Sequence, residues 1–285
     1  MANVLVTGAS KGFGFLIVKT LLKDGHRVAA GMRGVGGKNG AAAAELKAAG
    51  AAPVELDVTD EASVNRAVAS AGALDVVVNN AGVGVLGLQE NFTPEDWKRV
   101  FDVNVFGVQR VNRAALPGMR ERRAGLLIHV SSLLGRMVIP FYGPYNATKH
   151  ALEALADNYR VELSGFGVES VLVEPGGYGT SFMDAMLRPS DASRDASYGP
   201  LAGAPEKAFA AFAKRLTGPD APDPQRVADV VAGLVRAPRG KRPFRSTVDR
   251  TPMGEAVEAC NRTAEEQQAR VYAAFGIADV LTAKV

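Results

Sequence analysis

The sequence predicts an α/β fold in which a doubly wound parallel sheet of about seven strands carries helices on both faces. Two observations support this prediction. Short runs rich in β-branched residues alternate with longer helical stretches along most of the 285 residues, which is the pattern of repeated βαβ units. Several of these runs are apolar throughout, as expected for strands that are covered on both faces.

Seven runs have the composition and spacing of strands, and most of them are bounded by residues that favour turns. The predicted strands are Asn3–Thr7, His26–Met32, Pro53–Leu56, Leu74–Asn79, Leu126–Ser131, Val168–Val173 and Phe244–Val248. The strand at Leu74–Asn79 is nearly continuous in apolar residues, as expected for a strand that is buried on both faces.

The stretches between the strands have helical character and recognisable end signals. We expect Thr59 to cap one helix, Pro94 to stand near the start of another and Pro117 to end it. The predicted helices are Phe13–Lys23, Ala41–Ala49, Thr59–Ser70, Pro94–Leu116, Tyr145–Leu163, Phe182–Leu187, Glu206–Leu216, Pro224–Val235 and Glu255–Ala274. No linker or strong repeat divides the chain, so we expect one domain over residues 1–285. In it, residues 177–222 form a substrate-binding lid and residues 249–285 a C-terminal extension.

Composition argues against several classes of protein. Hydrophobic residues make up 47% and charged residues 22%, the balance of an ordinary globular protein. The net charge is only +3, without a dense basic block, so no nucleic-acid partner is expected. The single cysteine, Cys260, allows no internal disulfide, and no apolar run reaches the roughly 20 residues of a membrane span. We therefore expect a cytoplasmic protein with no membrane partner and no bound metal.

A glycine-rich segment from Thr7 to Gly14 stands between the first strand and the first helix. Glycines at such a turn let backbone N–H groups approach a pyrophosphate at the N-terminus of the helix. The alternative interpretation is an ordinary turn that needs glycine for its positive φ angle.

Tyr145 and Lys149 are one turn apart at the head of a predicted helix, so their side chains share a face. An ammonium beside a phenol is expected to lower the tyrosine pKa and to ease proton exchange with an alcohol or carbonyl oxygen. Ser131 and Ser132 end a strand 13 residues before Tyr145, at the sheet edge where ligands gather in open α/β folds. The alternative for Tyr145 and Lys149 is a packed, solvated helix edge without a catalytic role. The alternative for the serines is a cap or a turn.

Three further polar segments belong to this pattern. Asn79–Gly82 ends the fourth strand, and Pro175–Thr180 follows the sixth. Asn104 lies inside a predicted helix, where asparagine is unfavourable without a partner. A water link to Lys149 and a buried helix–helix hydrogen bond both remain open for Asn104.

Together these motifs resemble the short-chain dehydrogenase/reductase family over roughly residues 3–180, within its compact single-domain branch and with a Rossmann-type fold. The resemblance implies a catalytic tetrad of Asn104, Ser132, Tyr145 and Lys149, with Tyr145 as the general acid/base. It implies that a nicotinamide cofactor is held by both Tyr145 and Lys149. The other cofactor-binding residues that it implies are Gly8, Ser10, Lys11, Gly12, Phe13, Gly14, Arg33, Asp57, Val58, Asn80, Ala81, Gly82, Pro175, Gly176 and Thr180.

The cofactor is expected to be NADP(H) rather than NAD(H). Preference for NAD normally requires an acidic residue at the end of the second strand, where this chain has Met32 followed by Arg33. Arg33 and Lys11 are two cations that can bind a 2′-phosphate. Their alternative role is that of solvated surface cations.

The substrate is expected to be a small hydrophobic carbonyl or alcohol, because the segments flanking the site are apolar and rich in methionine. The predicted substrate-binding residues are Leu134, Phe141, Tyr142, Tyr178, Phe182 and Met183. Two other functions remain open: an epimerase or dehydratase that uses transient hydride transfer, and a catalytically silent NADP(H)-binding regulator.

A homodimer or homotetramer is expected from the helices over Pro94–Leu116 and Tyr145–Leu163, which carry apolar residues on more than one face. The residues concerned are Val100, Val103, Val108, Val111, Ala151, Leu155, Tyr159 and Leu163. The alternative is that residues 254–285 fold back and cover this second face.

Overall fold

One sheet of seven parallel strands organises the protein, in the spatial order β3-β2-β1-β4-β5-β6-β7, in a computed structural model that describes residues 1–284. The strands are β1 (Asn3–Thr7), β2 (Arg27–Met32), β3 (Ala52–Glu55), β4 (Val76–Asn79), β5 (Gly125–Val130), β6 (Val168–Pro175) and β7 (Arg245–Val248). The order reverses direction between β1 and β4, which is the doubly wound arrangement. The predicted fold class and strand number are confirmed.

Helices cover both faces of this sheet. They are α1 (Gly12–Lys23), α2 (Gly40–Ala48), α3 (Glu61–Ala71), α4 (Pro94–Phe101), α5 (Gly107–Glu121), α6 (Gly143–Leu163), α7 (Ala204–Leu216), α8 (Gln225–Arg236) and α9 (Pro252–Ala274). Helices α1, α2 and α8 contribute to the core on one face, and α3, α5 and α6 to the core on the other. None of the helices described over residues 1–284 is both long and apolar enough to cross a membrane.

Alternate residues of each central strand enter opposite cores. In β1, Val4 and Val6 belong to the core under α1, whereas Leu5 belongs to the core under α5. In β4, Val78 and Val77 divide in the same way. Because side chains alternate across a sheet with a period of two, a strand covered on both faces is apolar at every position.

Several element boundaries differ from the prediction, and three of them have a visible local setting. Helix α5 continues through Pro117 to Glu121, and Met119, one half-turn beyond the proline, is fully buried in the core. The cap of α3 is Asp60 rather than Thr59: the Asp60 carboxylate accepts the Ala62 N–H at 2.9 Å. The predicted helix at Phe182–Leu187 is reduced to a single 3₁₀ turn over Met183–Ala185.

The two long helical regions are less apolar on their outer faces than predicted. Val100, Val108, Val111 and Leu163 are buried within the chain itself, so they are not available for contact with another copy. Val103, Ala151, Leu155 and Tyr159 are half-buried. The C-terminal segment meets the end of α6, where the Lys284 N–H donates to the Ser164 carbonyl oxygen at 2.8 Å. Phe106, at the start of α5, is 51% exposed.

Candidate active site

A cavity of about 1220 Å³ opens at the carboxyl ends of the strands, beside the point where the strand order reverses. It runs from the turn between β1 and α1 to the segment after β6 and to residues within 177–222. Ligands of doubly wound sheets bind at this crevice. Most of the predicted site residues line it; Gly14, Asn104 and Phe141 do not.

The turn between β1 and α1 requires glycine at three positions, for two different reasons. Gly8 and Gly12 have φ angles of 67° and 57°, which favour glycine. A Cβ on Gly14 would lie 2.4 Å from the Gly8 carbonyl oxygen, so Gly14 is required by packing rather than by its φ angle. Lys11, at the N-cap of α1, makes no side-chain capping bond and the first turn holds no acidic residue. The N-terminus of α1 is therefore suited to an anion.

Asn80, Ala81 and Gly82 line the cavity, but the Asn80 side chain itself supports the glycine turn. Its Nδ2 atom donates to the carbonyl oxygens of Thr7 and Gly8 at 2.9 and 3.2 Å. The Thr7 hydroxyl accepts the N–H groups of Asn80 and Ala81, both at 3.0 Å. This segment therefore fixes β4 to the glycine turn.

Ser132, Tyr145 and Lys149 meet in the cavity from two elements. Ser132 follows β5, and its Oγ accepts the Leu134 N–H at 3.1 Å. Tyr145 and Lys149 lie on one face of α6, with the Lys149 Nζ 5.5 Å from the centroid of the Tyr145 ring. All three side chains line the cavity.

Burial has the largest effect on the pKa values of Tyr145 and Lys149. Burial raises the pKa of Tyr145 to about 12, although the hydrogen bond with Ser132 opposes this change. Burial lowers the pKa of Lys149 to about 8, against the effect of the Glu153 carboxylate. The expectation that Lys149 lowers the tyrosine pKa is wrong for this structure, because desolvation of the phenol has the larger effect. The phenol therefore holds its proton at neutral pH.

Asn104 occupies a π-helical turn over Asp102–Phe106, between α4 and α5, and is only 1% exposed. Its Oδ1 accepts the Val83 N–H at 2.8 Å. Its Nδ2 donates to the Val83 carbonyl oxygen at 2.9 Å and to the Thr148 hydroxyl at 3.0 Å. These bonds join the loop after β4 to α6 beside Lys149. They fit the buried hydrogen-bond interpretation, and the water link to Lys149 stays a prediction.

The end of the cavity beside β2 is basic. Arg33 is half-exposed there, with Nη1 3.9 Å from the Asp57 carboxylate. Burial favours a raised pKa for Asp57, but hydrogen bonds from Thr59 and the charges of Arg33 and Lys38 lower it overall. Val58 also lines this end. Lys38 and Asn39 line it too, and sequence reasoning missed both although they stand in the glycine-rich loop after Arg33. Lys11 is turned to the segment after β6, with Nζ 3.4 Å from the Ser181 carbonyl oxygen.

The loop after β2 is held by Glu55, whose carboxylate accepts the N–H groups of Gly34 and Val35 at 2.7 and 2.8 Å. The Asn39 side chain donates to the Arg33 carbonyl oxygen at 2.6 Å. These bonds fix the backbone of the loop and leave the Arg33 side chain at the cavity.

The other end of the cavity carries many apolar side chains, although the charged residues Arg215, Asp223, Asp249 and Arg250 also line the cavity. Leu134, Tyr142, Phe182 and Met183 line it as predicted residues of the substrate site. Tyr178 also lines the cavity, with its hydroxyl bonded to the Val248 carbonyl oxygen at 2.8 Å. The residues that sequence reasoning missed include Val83, Ile139, Phe212 and Met253. Phe212 and Met253 come from α7 and α9, and no local sequence signal marks them.

Phe141 does not line the cavity, contrary to the prediction. It has a φ angle of 72°, and its carbonyl oxygen accepts the Gly87 N–H at 2.9 Å. This left-handed turn directs the ring onto the cluster of Leu86, Leu134 and Tyr142 instead.

Comparison with known proteins gives consistent matches. The family model described as "short chain dehydrogenase" matches residues 2–191. An uncharacterized oxidoreductase of Bacillus subtilis, YusZ, is 34% identical over 81% of this chain and 83% of its own length. The 3-ketodihydrosphingosine reductase of Bacteroides thetaiotaomicron is 36% identical over 64% of this chain and 65% of its own length. A short-chain dehydrogenase structure from Streptomyces avermitilis has a TM-score of 0.76, with 27% identity and 97% of both chains covered.

Proposed function

The chain belongs to the short-chain dehydrogenase/reductase family, and on that premise we propose that it interconverts a carbonyl and an alcohol on a small, largely hydrophobic substrate with NADP(H). One observation carries the proposal. Ser132, Tyr145 and Lys149 meet in a single cavity that has a glycine turn and cations at one end and apolar side chains at the other.

The residues present fit a nicotinamide dinucleotide. A Cβ on Gly8 would lie 2.9 Å from the Ala81 Cα, and Gly8 and Gly12, which carry no side chain, both line the cavity. The uncapped N-terminus of α1 is suited to a pyrophosphate, and Pro175, Gly176 and Thr180 line the same cavity after β6. When bound, the cofactor supplies or accepts the hydride.

The protein's own contribution is proton transfer and orientation. In the reducing direction the Tyr145 phenol, protonated at neutral pH, donates its proton to the substrate oxygen; in the oxidising direction Tyr145 takes that proton back. The Ser132 hydroxyl hydrogen-bonds the same oxygen and fixes it beside the phenol. Lys149 holds a positive charge near the ring and is itself held by the Val130 carbonyl oxygen at 2.8 Å.

Preference for NADP(H) is supported by the charges beside β2. Met32 is 2% exposed and carries no carboxylate, and Arg33 and Lys38 lie at the cavity. Asp57 holds Arg33 only at a distance of 3.9 Å. Because guanidinium pairs readily with phosphate, we infer that Arg33 and Lys38 bind the 2′-phosphate.

A hydrophobic substrate is supported by the lining of the opposite end. Among the matched relatives, 3-ketodihydrosphingosine reductase is named for a ketone and retinol dehydrogenase 8 for an alcohol. The apolar end of this cavity, with Leu134, Met183 and Met253, is suited to such groups on an apolar frame.

A screen of NADPH and NADH oxidation with aliphatic, aromatic and polycyclic ketones and aldehydes tests this function. We expect turnover with at least one class of hydrophobic carbonyl and faster turnover with NADPH. Binding of NADPH without turnover of any carbonyl or alcohol would instead favour the silent regulator. Epimerisation or dehydration without net cofactor consumption would favour the transient-hydride alternative.

We also infer that the protein forms a homodimer or homotetramer through α5 and α6. Phe106 is 51% exposed and contacts Phe101, with ring centroids 6.4 Å apart, and the half-buried Leu155 and Tyr159 lie on α6. Partly exposed apolar side chains on these elements favour self-association. Light scattering at low micromolar concentration tests it; the mass of one 29.9 kDa chain would contradict the inference.

A further inference from the structure

A buried carboxylate lies directly behind the proposed catalytic pair. Glu153 follows Lys149 by one turn of α6 and is 3% exposed. Its Oε2 atom accepts the Arg245 Nε–H at 3.0 Å. Arg245 also meets Asp157 at 2.8 Å and Glu265 at 3.4 Å, so the guanidinium is fixed from several sides.

The second oxygen of Glu153 is turned toward the end of β5. Within residues 1–284 neither Glu153 Oε1 nor the Ser131 Oγ has a hydrogen-bond partner. Both border the same small space beside Gly135: a Cβ there would lie 2.8 Å from Ser131 Oγ and 3.2 Å from Glu153 Oε1. Lys149 reaches the same strand end, where its Nζ donates to the Val130 carbonyl oxygen.

We propose that Glu153 is a positioning residue: held by Arg245, its buried carboxylate keeps the neighbouring Lys149 in its charged form inside the catalytic site. A buried ammonium is costly unless an opposite charge lies nearby. Lys149 makes no ion pair in the described part of the chain, so Glu153, one turn away on the same helix, supplies that charge. Glu153 does not touch the reacting atoms.

The other titratable groups that face Glu153 and Lys149 lie on β5, β6 and α6. Burial and the charge of Lys149 lower the pKa of His129, on β5, to about 3, so that ring is neutral. Tyr145 on α6 also holds its proton. Burial and the Glu153 carboxylate raise the pKa of Glu174 on β6, which also faces Arg245 at 3.8 Å.

The remaining charged neighbours act on Arg245 rather than on Lys149. Asp157 on α6 and Glu265 on α9 pair with the guanidinium, and Arg160 stacks on Phe244 beside it. Arg245 and Glu265 lie beyond residues 2–191, which the family model matches. Arg245, in the C-terminal part of the chain, therefore holds the Glu153 carboxylate beside Lys149 on α6.

The role of Glu153 in catalysis rests on the proposed function, but its effect on Lys149 is measurable without substrate or cofactor. In protein labelled with ¹³C at lysine Cε, the chemical shift reports the titration of Lys149, assigned with a Lys149→Arg variant. We expect a midpoint near pH 8 in the unmutated protein. In Glu153→Gln, the midpoint should fall by about one pH unit, the scale of losing one nearby opposite charge.

Two variants separate this effect from a general change in packing. Glu265→Gln also removes a carboxylate from Arg245 but lies on α9, and it should leave the Lys149 midpoint unchanged within about 0.3 pH unit. Glu153→Asp retains the charge, so the midpoint of the Lys149 titration should lie closer to that of the unmutated protein than to that of Glu153→Gln. An unchanged midpoint in a folded Glu153→Gln protein, or equal shifts in Glu153→Gln and Glu265→Gln, would overturn the proposal.

If Glu153→Gln does not fold, carboxyl ¹³C shifts of the unmutated protein decide the question. Glu153 must show the shift of a carboxylate at pH 7; the shift of a carboxylic acid would overturn the proposal, because a neutral group cannot stabilise the ammonium. Failure of the carbonyl screen with an intact Lys149 response would count against the proposed function alone.

Discussion

The Nζ atom of Lys149 donates a 2.8 Å hydrogen bond to the carbonyl oxygen of Val130, the last residue of β5. This bond ties α6 to the strand end at which Ser132 stands. It also leaves the ammonium 5.5 Å from the centroid of the Tyr145 ring, without an ion pair to the phenol. The position of the Lys149 ammonium is therefore set by the end of β5.

Loss of Arg33 should change cofactor preference. Removing a charge-assisted contact to phosphate costs roughly 1.5–3 kcal/mol, about ten- to a hundredfold in affinity. Arg33→Ala should therefore weaken NADPH binding by that factor and leave NADH binding nearly unchanged, as measured by titration calorimetry. Arg27→Ala, at the exposed start of the same strand, is the matched control. Equal losses for both cofactors in Arg33→Ala would contradict the assignment.

A side chain at Gly14 should damage the cofactor end of the site. In Gly14→Ala the new Cβ would lie 2.4 Å from the Gly8 carbonyl oxygen and 2.5 Å from Asn80 Nδ2. Overpacking of this kind costs about 1–3 kcal/mol, so both thermal stability and NADPH affinity should fall. Gly36→Ala is the control, because no atom lies within 4 Å of its added Cβ. A Gly14→Ala protein as stable and as tight-binding as Gly36→Ala would refute this reading.

Acid should destabilise the fold through His129. Burial, with the charge of Lys149, lowers the pKa of this histidine from 6.5 to about 3. Between these pH values the unfolded chain binds more protons, so the free energy of unfolding falls as the pH falls from 6.5 toward 3. The slope from one such group is up to about 1.4 kcal/mol per pH unit.

Denaturant unfolding at several pH values measures this slope. In His129→Gln the free energy of unfolding should depend less on pH below 6.5. In His150→Gln, at an exposed position on α6, the pH dependence should stay as in the unmutated protein. The two variants differ in burial but not in the residue removed. Parallel pH dependence in the two variants would show that His129 is not the group responsible.

Sequence spacing was sufficient for the parts of the site that are local. Ser132 at a strand end and Tyr145 with Lys149 one turn apart are patterns within single elements, and the sheet order brings them together. Phe212 and Met253 reach the cavity only through the packing of α7 and α9, which no short pattern encodes. The same holds for the burial of Tyr145, which reverses the expected direction of its pKa.

Two other departures have local causes that sequence patterns do not reveal. Phe141 has an apolar side chain of the kind expected in the substrate site, but its φ angle of 72° turns the ring away from the cavity. Asn104 lies in a π-helical turn rather than a regular helix, and this turn places its side chain between Val83 and Thr148. In both cases backbone geometry, not residue type, decides where the side chain goes.

The central claim is that Tyr145 transfers the proton, and a single substitution tests it. Tyr145→Phe keeps the ring and its contact with Phe182, whose centroid lies 5.8 Å away, and removes only the hydroxyl. With a carbonyl identified by the NADPH screen, single-turnover oxidation of NADPH should slow by at least about 100-fold, while NADPH binding stays unchanged. Tyr198→Phe, whose hydroxyl bonds Glu90 at the surface, should react at the unmutated rate. Turnover by Tyr145→Phe within a fewfold of the unmutated protein would contradict the account.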